Sequence, residues 1–146
     1  MNSFKKLYID FLNALAEEIS LYKNEEDIWK LSGSISNTPG NLCLHLCGNL
    51  KHFYGAIIGN TGYIRERDLE FSKKNVSKAE LIKEIEETKN MMEKIFDGLK
   101  AEDINKVYPD DKFGENVTYG FIFSRLISHL SYHIGQINYH RRILDN

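Results

Sequence analysis

Apolar residues recur at steps of three and four along this chain, the spacing of a helix with one buried face, in four stretches divided by three polar, glycine-containing connections. The first helix is predicted from Asn2 to Lys23, with Phe4, Leu7, Phe11, Leu15 and Ile19 as its stripe. Thr38-Pro39 opens the second, because threonine can cap free backbone amides and proline lacks a donor where none is needed. That helix is expected to end near Gly59 and to turn Leu42, Leu46, Leu50 and Phe53 inward. Ser77-Lys78-Ala79-Glu80 reads as a capping box ahead of the third helix, whose stripe is Leu81, Ile85, Met92, Ile95 and Leu99. The fourth is predicted from Thr118 to Leu144, with Ile122, Leu126, Ile137 and Leu144 on one side.

Strand signals are weak, and only Val107, Tyr108 and Val117 invite a brief pairing across the connection that holds Pro109 and Gly114. Four amphipathic helices predict an all-α four-helix bundle, with residues 1–146 as a single domain. The 18 residues from Gly59 to Val76 can run the ~30 Å length of a bundle. The second and third helices can therefore be parallel.

Composition narrows the partners. Lys and Arg total 19 against 21 Asp and Glu, a formal charge of -2 that lacks the basic excess of a nucleic-acid binder. Asp10 interrupts the first apolar stretch, and no uninterrupted run reaches the ~20 residues of a membrane span, so neither secretion nor membrane insertion is expected. Cys43 and Cys47 lie one turn apart on one helix, where side chains project outward rather than toward each other. They read as small core residues in a reducing compartment, which predicts a cytoplasmic protein.

Candidate chemistry sits on the second and fourth helices. His129 and His133 are four residues apart and share a face with Ile122, Leu126 and Ile137, so the pair is expected to point into the bundle. His45 flanks the second helix's core stripe, with Asn49 and His52 along its own line. A pair on one helix and a third imidazole from a facing helix can present three nitrogens to one divalent ion and leave positions open. Such an ion can lower the pKa of bound water, activate a thiolate or polarise a carbonyl. The bland alternative is three hydrogen-bonded core histidines. It is weakened by sequence, because no Asp or Glu occurs from Pro39 to Tyr63 or from Asn116 to Leu144 to partner them.

The same absence argues against a di-iron bundle, which needs inward glutamates. Asn49 and Gln136, each one turn beyond a proposed ligand, are expected to orient imidazoles or hold water. His52 and His140 lie seven residues beyond, ~10 Å along the axis, and are expected to be partners or pocket lining. Gly48 and Gly135 suggest close helix approach or room beside the site. Arg65 and Arg67, in a mixed charge run, are candidates to grip a carboxylate on an incoming small molecule.

These residues resemble the DinB-like superfamily of metal-binding four-helix bundles, with a histidine on helix two and a His-x-x-x-His pair on helix four. The likeness spans the chain through Asn41 to Leu50, Arg65 to Phe71 and His129 to Gln136, and is similar to a branch of no settled reaction. It implies an up-down-down-up bundle, a homodimer, and zinc or nickel held by His45, His129 and His133. Characterised relatives imply a thiol-dependent transferase that uses a low-molecular-weight thiol on a small electrophile. A metal-dependent hydrolase and a non-catalytic, stress-related metal-binding dimer are the competing readings. No residue is assigned a catalytic role by sequence.

Overall fold

The computed structural model describes residues 1–144, and among them the chain is all-helical, with no strand. Five α-helices run Asn2–Ser20 (α1), Pro39–Leu50 (α2), Arg67–Ser72 (α3), Lys78–Gly98 (α4) and Tyr119–Leu144 (α5). Short 3-10 turns at Glu25–Trp29 and Ala101–Asn105 lie in the connections.

The caps read from sequence are present. The Thr38 side chain accepts from the Asn41 amide with Pro39 in the first turn, and Ser77 and Glu80 close a reciprocal capping box on α4. Tyr108 donates its amide to the Val117 carbonyl at 2.8 Å, and the pairing goes no further than an isolated bridge between Val107 and Thr118.

α1 packs on α4 and α5, and α2 packs on the same two helices from the other side. Lys5 meets Asp97 at 2.6 Å, Lys89 reaches Asn13 at 3.2 Å and Lys78 reaches the Ser20 carbonyl at 3.3 Å. Tyr8 donates its hydroxyl to the Phe123 carbonyl at 2.7 Å. That bond corrects the α1 stripe. Tyr8 and Leu12 join Leu15 and Ile19 in the core, whereas Leu7 is 44 % exposed, because a tyrosine whose hydroxyl finds a carbonyl buries as well as a leucine. The rings of Tyr8, Tyr54, Phe96 and Phe123 then form an aromatic centre with centroids 5.1 to 5.7 Å apart.

α2 is buried on nearly every side; from Pro39 to Leu50 every residue but Leu44 is buried. A helix enclosed all round needs neighbours on its fourth flank as well as the bundle. Trp29 supplies one, lying so close over Gly40 that any Cβ there would collide with its ring. The connection after Gly59 supplies the other. It folds into α3 across α2, tied by Asn41, whose amide donates to the carbonyls of Glu70 and Lys73, both at 2.9 Å. Cys43 and Cys47 are free thiols with no exposure, in keeping with their reading as core residues.

α2 does not end as an α-helix. Lys51–Ala56 continues it as a π-helix, so that Phe53, Tyr54 and Gly55 are buried in succession. Bonds to the fifth residue wind less per residue, and the phase counted from His45 is lost beyond Leu50.

Candidate metal centre

His45 projects from the middle of α2 toward α5, where His129 and His133 stand one turn apart. One nitrogen from each ring lies within 4.8 Å of the others, so the group could hold a metal ion. His45 Nε2 and His129 Nε2 are 3.1 Å apart. Two nitrogens on one tetrahedral ion at ~2.05 Å would stand about 3.3 Å apart. That pair is already at bonding separation, and a His133 nitrogen lies within 4.8 Å of both.

The second nitrogens fix the tautomers. His45 Nδ1 donates to Glu70 Oε2 at 2.9 Å, and His133 Nδ1 donates to Gln136 Oε1 at 2.7 Å, because an ionised carboxylate and an amide oxygen can only accept. Each bond leaves an Nε2 lone pair free to ligate, and outer groups orient metal-ligating histidines in this way. His129 Nδ1 is buried with no partner, and so is Asn49 Oδ1. The Asn49 oxygen faces the cavity beside the histidines, where a ligand or a water can donate to it; the His129 Nδ1 lies on the opposite side of its ring from the Nε2 that meets His45, so the fit to an ion rests on the three converging nitrogens.

The histidine pair of α5 is not in the core face itself. Ile122, Phe123, Leu126, Leu130, Ile134 and Ile137 are buried, while His129 and His133 are half-buried at its edge. Burial, followed by the positive charges of His133, His45, Arg125 and Arg65, pushes the His129 imidazolium down to about 4. Burial also lowers His133, partly offset by Gln136. Both rings are therefore neutral at pH 7 and available as ligands.

A stability consequence follows for the metal-free protein. A histidine with a lowered folded pKa binds fewer protons than in the unfolded chain between about 4 and its ordinary 6.5. Its contribution is complete above pH 6.5 and declines as pH falls toward 4. With solvent screening at a half-buried ring, the loss is about 1–2 kcal/mol. Urea midpoints of chelated protein should fall from pH 7.5 to pH 5, and less so in His129→Gln; equal midpoints in the wild type would show the ring to be solvated.

Glu70 is the residue that sequence reasoning missed. The two helices contribute no acid, but α3 brings one from the neighbouring connection, 6 % exposed, onto His45. Arg65 grips the same carboxylate with Nε at 2.7 Å and a terminal nitrogen at 2.9 Å. Burial alone would raise the Glu70 carboxyl, yet the hydrogen bonds from His45 and Arg65 outweigh it and hold it below its ordinary value. Gly48 makes the arrangement possible, since a Cβ there would collide with Glu70 Oε1. The close approach expected at Gly48 is thus to a carboxylate rather than to a helix, and Gly135 has nothing within 4 Å of its missing Cβ.

The other candidates fall as follows. Arg65, expected to await a substrate carboxylate, has its fork filled by Glu70. Arg67 is exposed, over the Phe71 ring at 5.1 Å. Asn49 lines a cavity of about 200 Å³ that opens beside His45 and His129. His52, on the π-helical turn, lies edge-on to Phe53 at 4.8 Å, and it is Phe53 that lines this cavity. His140 is a satisfied core residue, with Nδ1 2.8 Å from the Tyr22 hydroxyl and Nε2 2.9 Å from the Lys30 carbonyl. The sequence signals for Glu70 were its place in the charged run after Arg65 and within the Arg65 to Phe71 segment that carries the resemblance. Charge alone does not tell a buried glutamate from a solvated one.

Among the described residues no helix is long and apolar enough to cross a membrane. Neither the curated proteins nor the solved structures offer a significant match to this chain. One family does match, over residues 7–146, and the chain belongs to it: the family described as "Protein of unknown function (DUF1572)".

Proposed function

We propose that this protein is a metal-dependent enzyme that binds one divalent ion, zinc or nickel, through His45, His129 and His133 and transfers a small thiol to a small electrophile. The observation that carries the metal is the convergence of three imidazoles, two with their Nδ1 protons committed outward to Glu70 and Gln136. The resemblance to the DinB-like superfamily favours thiol transfer over other metal chemistry. Side-chain meetings at residues 5 and 97, 13 and 89, and 20 and 78 favour α4 antiparallel to α1, and those at 8 and 123 and at 22 and 137 favour α5 parallel to it. His45 against His129, and Tyr54 against Phe123, favour α2 antiparallel to α5, which completes the senses of an up-down-down-up bundle. In this reading the protein is a single domain, a homodimer, and cytoplasmic.

The bound ion would supply Lewis acidity, lowering the pKa of a thiol beside it. The chain's own residues do the rest. Asn49 Oδ1, buried and unpartnered, can accept a hydrogen bond from the incoming ligand. None of the residues lining the cavity carries a carboxylate, so the thiol proton leaves to water at the mouth. The sulfur then forms one bond to the electrophilic carbon, and the leaving group departs with the electron pair.

Untagged protein purified without chelator should contain about one equivalent of metal per chain. Incubated with an epoxide or alkyl halide, it should consume the electrophile only when thiol is present. Metal-free protein with no affinity for zinc or nickel would end this reading, and turnover without thiol would assign a hydrolase in its place.

A further inference from the structure

The cavity beside His45 and His129 is ringed by cations with no acid to answer them. Arg67, Lys112 and Arg125 line its exposed mouth, and among the described residues none of the three forms an ion pair; Arg65, the fourth, is held by Glu70 behind the site. Asp110 and Asp111 precede Lys112 in the loop, yet neither forms an ion pair with these cations among the described residues, and the Asp110 carboxylate accepts from the backbone amide of Lys112 at 2.9 Å. In a chain of net charge -2, three unanswered cations converging on one opening repel one another unless an anion joins them.

The wall between them is aromatic. Phe53 and Phe113 stand 5.0 Å apart, and the Lys112 ammonium lies 5.2 Å from the Phe53 ring. Asn49, 7 % exposed, lines the same cavity with its Oδ1 unpartnered, an acceptor suited to a hydroxyl or amide proton on the body of a ligand rather than to its anionic group. At about 200 Å³ the cavity is below the ~300 Å³ at the lower end of ligand pockets, too small for a nucleotide or peptide.

We infer that this cavity binds a small organic oxyanion, a carboxylate or phosphate ester, with its anionic group on Arg67, Arg125 and Lys112 and its apolar body against Phe53 and Phe113. Guanidinium forks match both oxyanions in two-point contacts, and the aromatic wall takes the carbon skeleton. The inference extends the metal reading, on which only its last element rests: the far end of the ligand then faces His45 and His129, making the anion the handle of the substrate or of the thiol.

The test is an NMR titration of metal-free protein with benzoate, phenyl phosphate and uncharged benzamide. Both anions should shift the backbone amides of Asn49, Phe53 and Phe113, with benzamide at least about tenfold weaker. The tighter anion identifies the source. In Arg67→Gln/Arg125→Gln, two surface changes that leave the fold intact, the anions should weaken to the level of benzamide, with benzamide unchanged. Equal affinity for benzamide and benzoate, or anion binding unaltered in the double variant, would overturn the inference. Zinc binding followed in parallel separates the two readings: protein that takes no ion yet prefers anions fails only as a metalloprotein, and protein that takes zinc without preferring anions fails only here.

Discussion

His129→Ala should leave the protein folded but nearly free of metal, with ion affinity lower by about two to three orders of magnitude. Binding free energy at a structural zinc site is ~10–16 kcal/mol, or roughly 3–4 kcal/mol for each ligand. His129 is half-buried at the edge of the core face, so its truncation costs little packing and removes a neutral ring aimed at the shared point. His45→Ala should lose the ion as well, but it also abandons Glu70 and should cost stability, which makes His129 the cleaner probe. His140→Ala is the control, because both of its nitrogens are bonded elsewhere, to Tyr22 and Lys30. Equilibrium dialysis against zinc reads all three variants. Undiminished zinc in His129→Ala would show that the three rings do not act as one site.

Glu70→Ala should destabilise the protein by about 3–5 kcal/mol, since it strands the Arg65 guanidinium, 8 % exposed, without its counter-charge. Glu70→Gln keeps the shape and one acceptor, so its fold should survive. Ion affinity should still fall about 10–100-fold, because His45 Nδ1 no longer donates to a charge. Gly48→Ala should act in the same direction from the other side of the contact. Alanine gains about 1 kcal/mol of helix propensity, but its methyl would occupy the place of Glu70 Oε1 and drive the carboxylate off His45 and Arg65 together. Urea denaturation and zinc titration check both effects. A Gly48→Ala protein more stable than the wild type, with unchanged affinity, would show that the Glu70 contact carries no weight.

Much of the fold was legible because it is written in local terms. The caps at Thr38 and Ser77 depend on residues three apart, and the helix periods on residues three and four apart, so short windows of sequence contain them. The His129 and His133 pairing is of the same kind, fixed by the helix that carries both. Where Tyr8 displaced Leu7 from the α1 stripe, the deciding partner was the Phe123 carbonyl, 115 residues away. The π-helical turn after Leu50 was likewise invisible to a count that assumed 3.6 residues per turn, and it is what put Phe53 rather than His52 on the cavity wall.

By itself the sequence determined four amphipathic helices, their caps, and a histidine pair with a third imidazole able to face it, because helical geometry ties each of these to its near neighbours. Tertiary structure alone decided that the connection after Gly59 lies across α2. That placement delivers Glu70 to His45, consumes Arg65, and leaves Arg67, Lys112 and Arg125 around one opening. The path was set by the need to cover a helix buried on nearly every side and by a glycine without a side chain at the point of contact. Neither condition has a period in the sequence, since each is a relation between surfaces that meet only after the chain has folded.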